Sequence, residues 1–153
     1  MKQFSYTYVF IILISCLLVT ACTDNNDDTP NDTTQNQIED NVVTSTWRIT
    51  KYIDSDTDET SDYTGYNFTF GTNQVLTASN GVNNYIGTWS ISDSNSNDDS
   101  HDDLDFNIFF ASPEDFEELS DDWDFISQSS TKIELIDISG GSGETDLLTF
   151  ERN

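Results

Sequence analysis

From Val42 onward, large apolar residues recur at every second position, a pattern that buries one face of a segment only when the segment is extended. Trp47, Ile49 and Ile53 share a parity in "TWRITKYID", as do Tyr66, Phe68 and Phe70 in "YNFTF". Tyr85, Gly87, Trp89 and Ile91 share one in "YIGTWSIS", and Leu104, Phe106, Ile108 and Phe110 in "LDFNIFF". "NQVLTAS", "WDFIS", "KIELIDIS" and "LLTFER" complete the series, separated by turn clusters such as Gly71-Thr72-Asn73 and Gly140-Gly141-Ser142-Gly143. That makes roughly eight antiparallel strands, whose two open edges are hidden most simply by closing into an up-and-down barrel. The expected fold class is therefore all-β, an up-and-down barrel over residues 42–153. One short helix interrupts it, at "SPEDFEEL". Ser112 is expected as its N-cap, Pro113 at its first position and Asp115 as a capping-box acid, with Phe116 and Leu119 turned to the barrel.

The residues ahead of the barrel address the chain. The apolar run Val9 to Val19 is about half of the roughly 20 residues that span a bilayer. With Lys2 before it and small residues after it, it has the layout of a secretory signal. Its ending, Val19-Thr20-Ala21-Cys22, resembles the lipobox of bacterial lipoproteins. The resemblance implies removal of residues 1–21, acylation of Cys22 and attachment to a membrane through that lipid. Thr23 is not the aspartate associated with inner-membrane retention, and "TDNNDD" is similar to acid-rich surface-export signals of Bacteroidota-type lipoproteins. The expected location is the outer membrane, with the domain exposed at the cell surface. Residues 22–41 hold Ile38 as their one aliphatic side chain beyond the anchor, a composition expected to form a disordered acidic tether.

"STWRI" near the start of the domain, the central "GTWSI" and the closing "LTFER" together resemble the lipocalin-like domain of small secreted bacterial lipoproteins. Ser45 stands where the lipocalin Gly-x-Trp motif has glycine; that spelling occurs at Gly87-Trp89 instead. The resemblance implies a barrel enclosing one small apolar ligand. By strand parity its walls would be Trp47, Tyr66, Phe68, Trp89, Phe106 and Phe110. The same aromatics can equally fill an eight-stranded interior, which is just wide enough for side chains.

Charge sets the other partners. With 29 acidic and 5 basic residues, the net charge is −24, which repels nucleic acid and favours cations or basic proteins. Two stretches begin with the Asp-x-[Asp/Asn]-x-[Asp/Asn] spacing of calcium loops: Asp54, Asp56 and Asp58, then Asp93, Asn95 and Asn97. Both lack the turn glycine and the closing bidentate glutamate, so weak calcium binding competes with a plain acid-rich connector between strands. No other cofactor is implied.

Catalysis is poorly supplied. The mature domain has no cysteine, and its one histidine, His101, sits in the polar run "SNSNDDSHDD". No Gly-x-Ser-x-Gly spelling marks a nucleophile, and the expectation is a non-catalytic protein. Two functions remain from the residues: a surface-anchored carrier of a small apolar molecule, or an acidic interaction or inhibitor module for a cationic protein.

Overall fold

The alternation produces strands where it predicts them. The computed structural model describes residues 30–93, 104–138 and 144–153. In chain order these form α1 (Pro30–Val43), β1 (Thr46–Asp54), β2 (Thr57–Asp58), a 3-10 turn (Thr60–Tyr63), β3 (Asn67–Phe70), β4 (Val75–Ser79) and β5 (Asn84–Asp93). They continue with β6 (Leu104–Phe110), α2 (Glu114–Glu117), β7 (Asp121–Gln128), β8 (Lys132–Ile138) and β9 (Thr145–Arg152). From β3 to β9 each strand pairs antiparallel with its sequence neighbours, and β1 pairs with both β3 and β9, which closes the sheet. The two-residue β2 only extends the tip of β1. The result is the expected eight-stranded up-and-down barrel.

Burial follows the pleat. In β6 the pattern runs buried at Leu104, Phe106, Ile108 and Phe110, with more accessible residues between them. β1 departs from it for a local reason. Its register with β9 slips between Ile49 and Lys51, a β-bulge that inverts the parity beyond it. Tyr52 is therefore buried instead of Ile53, although Trp47 and Ile49 point inward as expected.

The ends of the barrel are covered by helices, and here two expectations are corrected. Residues 30–41, assigned to the tether, belong to α1. Ile38 and Val42 lie one turn apart and are each 1% exposed, so they join the core. The Val42 carbonyl accepts a hydrogen bond from Trp47 Nε1 at 2.9 Å, and Gln35 Nε2 donates to the Ile91 carbonyl at 3.0 Å. At the opposite end, Phe116 of α2 and Leu119 just beyond it are buried as expected, but Ser112 does not cap the helix. Pro113 occupies the N-cap position, following a cis Ser112–Pro113 peptide, and no side chain caps the helix. The single turn is held instead by two buried tyrosines: Tyr63 Oη donates to the Asp115 carbonyl and Tyr52 Oη to the Glu118 carbonyl, the latter at 2.8 Å.

Gly87 shows how tightly the wall is packed. A Cβ at this buried position would lie 2.3 Å from the Phe109 carbonyl oxygen and 2.8 Å from the Phe110 ring. Backbone cannot yield as a flexible side chain can. Gly87→Ala is therefore expected to destabilise the fold by about 3 kcal/mol, the upper end of the usual overpacking cost. Urea unfolding measures it; a loss below about 0.5 kcal/mol, the size of an ordinary surface change, would show that the two strands part easily there.

Candidate functional site

The six aromatic residues expected to wall a cavity do converge on the lumen. Trp47, Phe68, Phe106 and Phe110 are at most 1% exposed, and Trp89 and Tyr66 are nearly as buried. Trp89 and Phe106 meet each other, and Tyr66, Phe68 and Phe110 meet further rings. Phe70 packs edge-on against Trp89, Phe106 and Phe150, with centroids 5.4, 5.4 and 5.5 Å away. Such edge-to-face contacts suit the quadrupoles of the rings. The indole N–H groups are satisfied within the fold: Trp89 Nε1 donates to the Gly71 carbonyl at 3.0 Å and Trp123 Nε1 to the Leu119 carbonyl at 3.1 Å.

At the α2 end a single side chain plugs the lumen. The Phe116 ring lies within 4.7 to 6.1 Å of Tyr85, Tyr66, Phe110, Tyr63 and Phe68, centroid to centroid. Burial pushes the Tyr52 and Tyr63 phenols well above their usual range, so both remain neutral hydrogen-bond donors.

The first calcium-like spacing serves as a turn. Ser55 and Asp56 both have positive φ, 46° and 75°, between the paired residues Asp54 and Thr57. This is the two-residue geometry that joins antiparallel strands with their natural twist. Asp58 Oδ1 accepts the Thr60 backbone N–H at 3.1 Å, and hydrogen bonding by Thr60 holds its carboxyl below the usual range. Among the described residues no group of three or more His, Cys, Asp or Glu side chains converges as a cation site, so Asp54, Asp56 and Asp58 are not brought together as ligands. Asn95, Asn97 and His101 lie outside the described residues, as do Cys22 and the glycine-rich 139–143 segment; Asp93 ends β5.

The outside of the barrel is divided by charge. On one side Asp105 of β6 lies directly across from Asp124 of β7, and Asp122 follows across from Asn107. Partial burial, then Asp124 and Asp122, raise the Asp105 carboxyl above its usual range. Glu118 is raised by burial and by Glu59, and Asp121 by burial to about 6. Each of these carboxyls holds a proton more tightly in the folded chain than in the unfolded one. Folding is thus favoured below the folded value, and the gain is lost as pH rises through it. The melting temperature should be higher at pH 5 than at pH 7 at constant ionic strength. Asp121→Asn should reduce that difference, and a melting temperature that falls on acidification would refute the assignment.

On the other side the outward positions of β3, β4 and β5 carry no charge among the described residues. The residues between inward positions are Asn67 and Thr69 on β3, Val75, Thr77 and Ser79 on β4, and Ile86, Thr88 and Ser90 on β5. On β6 they are Asn107 and Phe109. Ile86 and Phe109 are each 57% exposed, which makes them surface features rather than core. A hollow of about 250 Å³ lies on this side, lined by Gln74, Thr88, Trp89, Ser90, Asn107 and Phe109 together with Ile108. It shares Gln74, Trp89 and Ser90 with a second hollow beside α1, and Phe109 with a third beside α2. The three adjoin through these shared residues, and together they form the trough. Of its lining residues the sequence singled out Trp89 and Phe110, but as walls of the lumen; parity already turned Thr88, Ser90, Asn107 and Phe109 outward, and the missed signal was the absence of charge at those positions in so acidic a chain.

These features define a class: a small closed antiparallel meander with an aromatic-filled lumen, helices over both ends and a grooved outer wall. No protein-family model matches the chain, and no curated protein matches it. Among solved structures, the crystal structure of a DUF4847 family protein from Bacteroides vulgatus is similar at a TM-score of 0.49 and 17% identity, covering 76% of this chain and 97% of that one.

Proposed function

We propose that this protein is a non-catalytic binding module, held at the outer membrane surface by a lipid on Cys22, that engages its ligand on the outside of the barrel. The observation that carries this reading is the lumen: the six residues expected to wall a cavity are all buried, and five of them pack against other rings. An interior ligand would have to displace Phe116 or a ring beside it. The lipid anchor rests on the lipobox spelling, and surface exposure on the acidic run that follows it. The helix α1 fits that arrangement, because it begins at Pro30 and sets the base of the domain eight residues beyond Cys22.

A second reading has one observation in its favour. The facing Asp105 and Asp124, with Asp122 beside them, repel each other on a solvated surface. A cationic protein docking there would relieve that repulsion, with fast association that a few hundred mM NaCl abolishes.

Native mass spectra of the full chain, purified in detergent from bacterial membranes, test the main reading. We expect the acylated mass with nothing added that leaves on denaturation. An organic mass lost on unfolding would restore the carrier reading, and Cys22→Ser must abolish the acyl increment if the anchor is correctly placed.

A further inference from the structure

We propose that the trough along the outer wall of β5 and β6 binds an uncharged carbohydrate chain, an inference that rests on the outer-wall reading above. Its central hollow presents two amides, Gln74 and Asn107, two hydroxyls, Thr88 and Ser90, and the 57%-exposed ring of Phe109. A sugar needs this combination: its C–H face lies on an aromatic ring while its hydroxyls exchange hydrogen bonds with amides and hydroxyls. Among the described residues no ionisable side chain lines this hollow, in a chain with 29 acidic and 5 basic residues. Neutrality there is a local property against the trend of the whole molecule, and it fits a neutral ligand.

The groups are fixed in place before binding. Thr88 pairs with Phe109 and Ser90 with Asn107, so the four form a block on two hydrogen-bonded strands. The Asn107 amide nitrogen donates to Ser92 Oγ at 2.9 Å, which settles its orientation and leaves its oxygen as an acceptor. Gln74 has a positive φ of 64°, and its carbonyl accepts the Trp89 backbone N–H at 3.1 Å, which sets its side chain beside Thr88. The side chains of Gln74, Thr88 and Ser90 make no hydrogen bond among the described residues, so their capacity remains for a ligand. Preorganisation of this kind reduces the ordering cost of binding. The trough also extends past one sugar ring. Glu39 and Asp40 stand at its α1 end and Glu117 at its α2 end, where they accept hydroxyl hydrogens and repel an anionic polymer. A second copy of the chain is disfavoured as occupant, because each copy carries a net charge of −24.

The test is native gel electrophoresis of the full chain, in an amine-oxide detergent, through gels cast with dextran, galactomannan, glucomannan, xyloglucan or, as the anionic control, alginate. At least one neutral polymer should retard the protein, in 0.5 M NaCl as well as at low salt. Phe109→Ala and Gln74→Ala, both surface changes, should each weaken that retardation at least tenfold. The proposal falls if no neutral polymer retards the chain, if alginate alone does, or if neither variant alters retardation. It falls equally if sedimentation shows a dimer that Phe109→Ala dissociates, since the wall would then belong to a second copy. A failure here leaves the outer-wall reading intact, because that reading falls to evidence of room for a ligand inside the lumen.

Discussion

Phe116→Ala should lower the unfolding free energy by about 3–5 kcal/mol, the cost of removing a buried phenylalanine from a core that cannot fully collapse. The ring is 2% exposed and touches five other aromatic rings across the α2 end of the lumen. Phe68, Tyr85 and Phe110 among its neighbours belong to closed strands and cannot move inward far enough to replace it. The vacated space is apolar, and such cavities stay dry and accept small aromatic molecules. Toluene should therefore raise the melting temperature of the variant while leaving that of the natural chain unchanged, by linkage of binding to folding. This comparison also divides the two accounts of the lumen. Equal stabilisation of both proteins by toluene would mean that the natural barrel already has room for a ligand, and the outer-wall reading would lose its basis. A destabilisation below about 1 kcal/mol would mean that Phe116 is no plug.

Ile38→Asp should be the second large effect, a loss of at least about 3 kcal/mol, because it places an unpaired carboxylate in a buried apolar site. Ile38 is 1% exposed on α1, and α1 shields Trp47 through the Val42 carbonyl. The same change in charge at exposed Asn36, as Asn36→Asp, should cost no more than about 0.5 kcal/mol. Urea unfolding of the two variants decides between helix and tether. If both behave alike, residues 30–41 are a spacer after all. If only Ile38→Asp unfolds early, the folded domain starts at α1.

The two errors at the barrel ends have a common physical origin. The Ile38–Val42 pair has the one-turn spacing of a helix face, but the polar composition of residues 22–41 hides it and the pair straddles the boundary drawn at residue 42. A weakly apolar helix of this kind is stabilised by what it covers, not by its own propensity. Ser112 had the spelling of a cap, yet α2 is one turn long and is tied down by Tyr52 and Tyr63 from distant parts of the chain. The β1 bulge was equally illegible: nothing in "RITKY" says that one residue will be skipped in the pairing with β9.

Composition and period alone determined the strands, their antiparallel order and the inward set Trp47, Tyr66, Phe68, Trp89, Phe106 and Phe110, because a two-residue period leaves a half-buried strand no other way to face. The same residues were compatible with a cavity or a solid core, and only the tertiary structure shows which rings they meet. Side-chain volume fills or spares a lumen according to where rings from distant strands meet, and Phe116, delivered by α2 from outside the strand pattern, occupies one end of it. The uncharged central hollow of the trough is tertiary for the same reason. Gln74, Thr88 and Asn107 are unremarkable in sequence and become one surface only when β4, β5 and β6 are laid side by side.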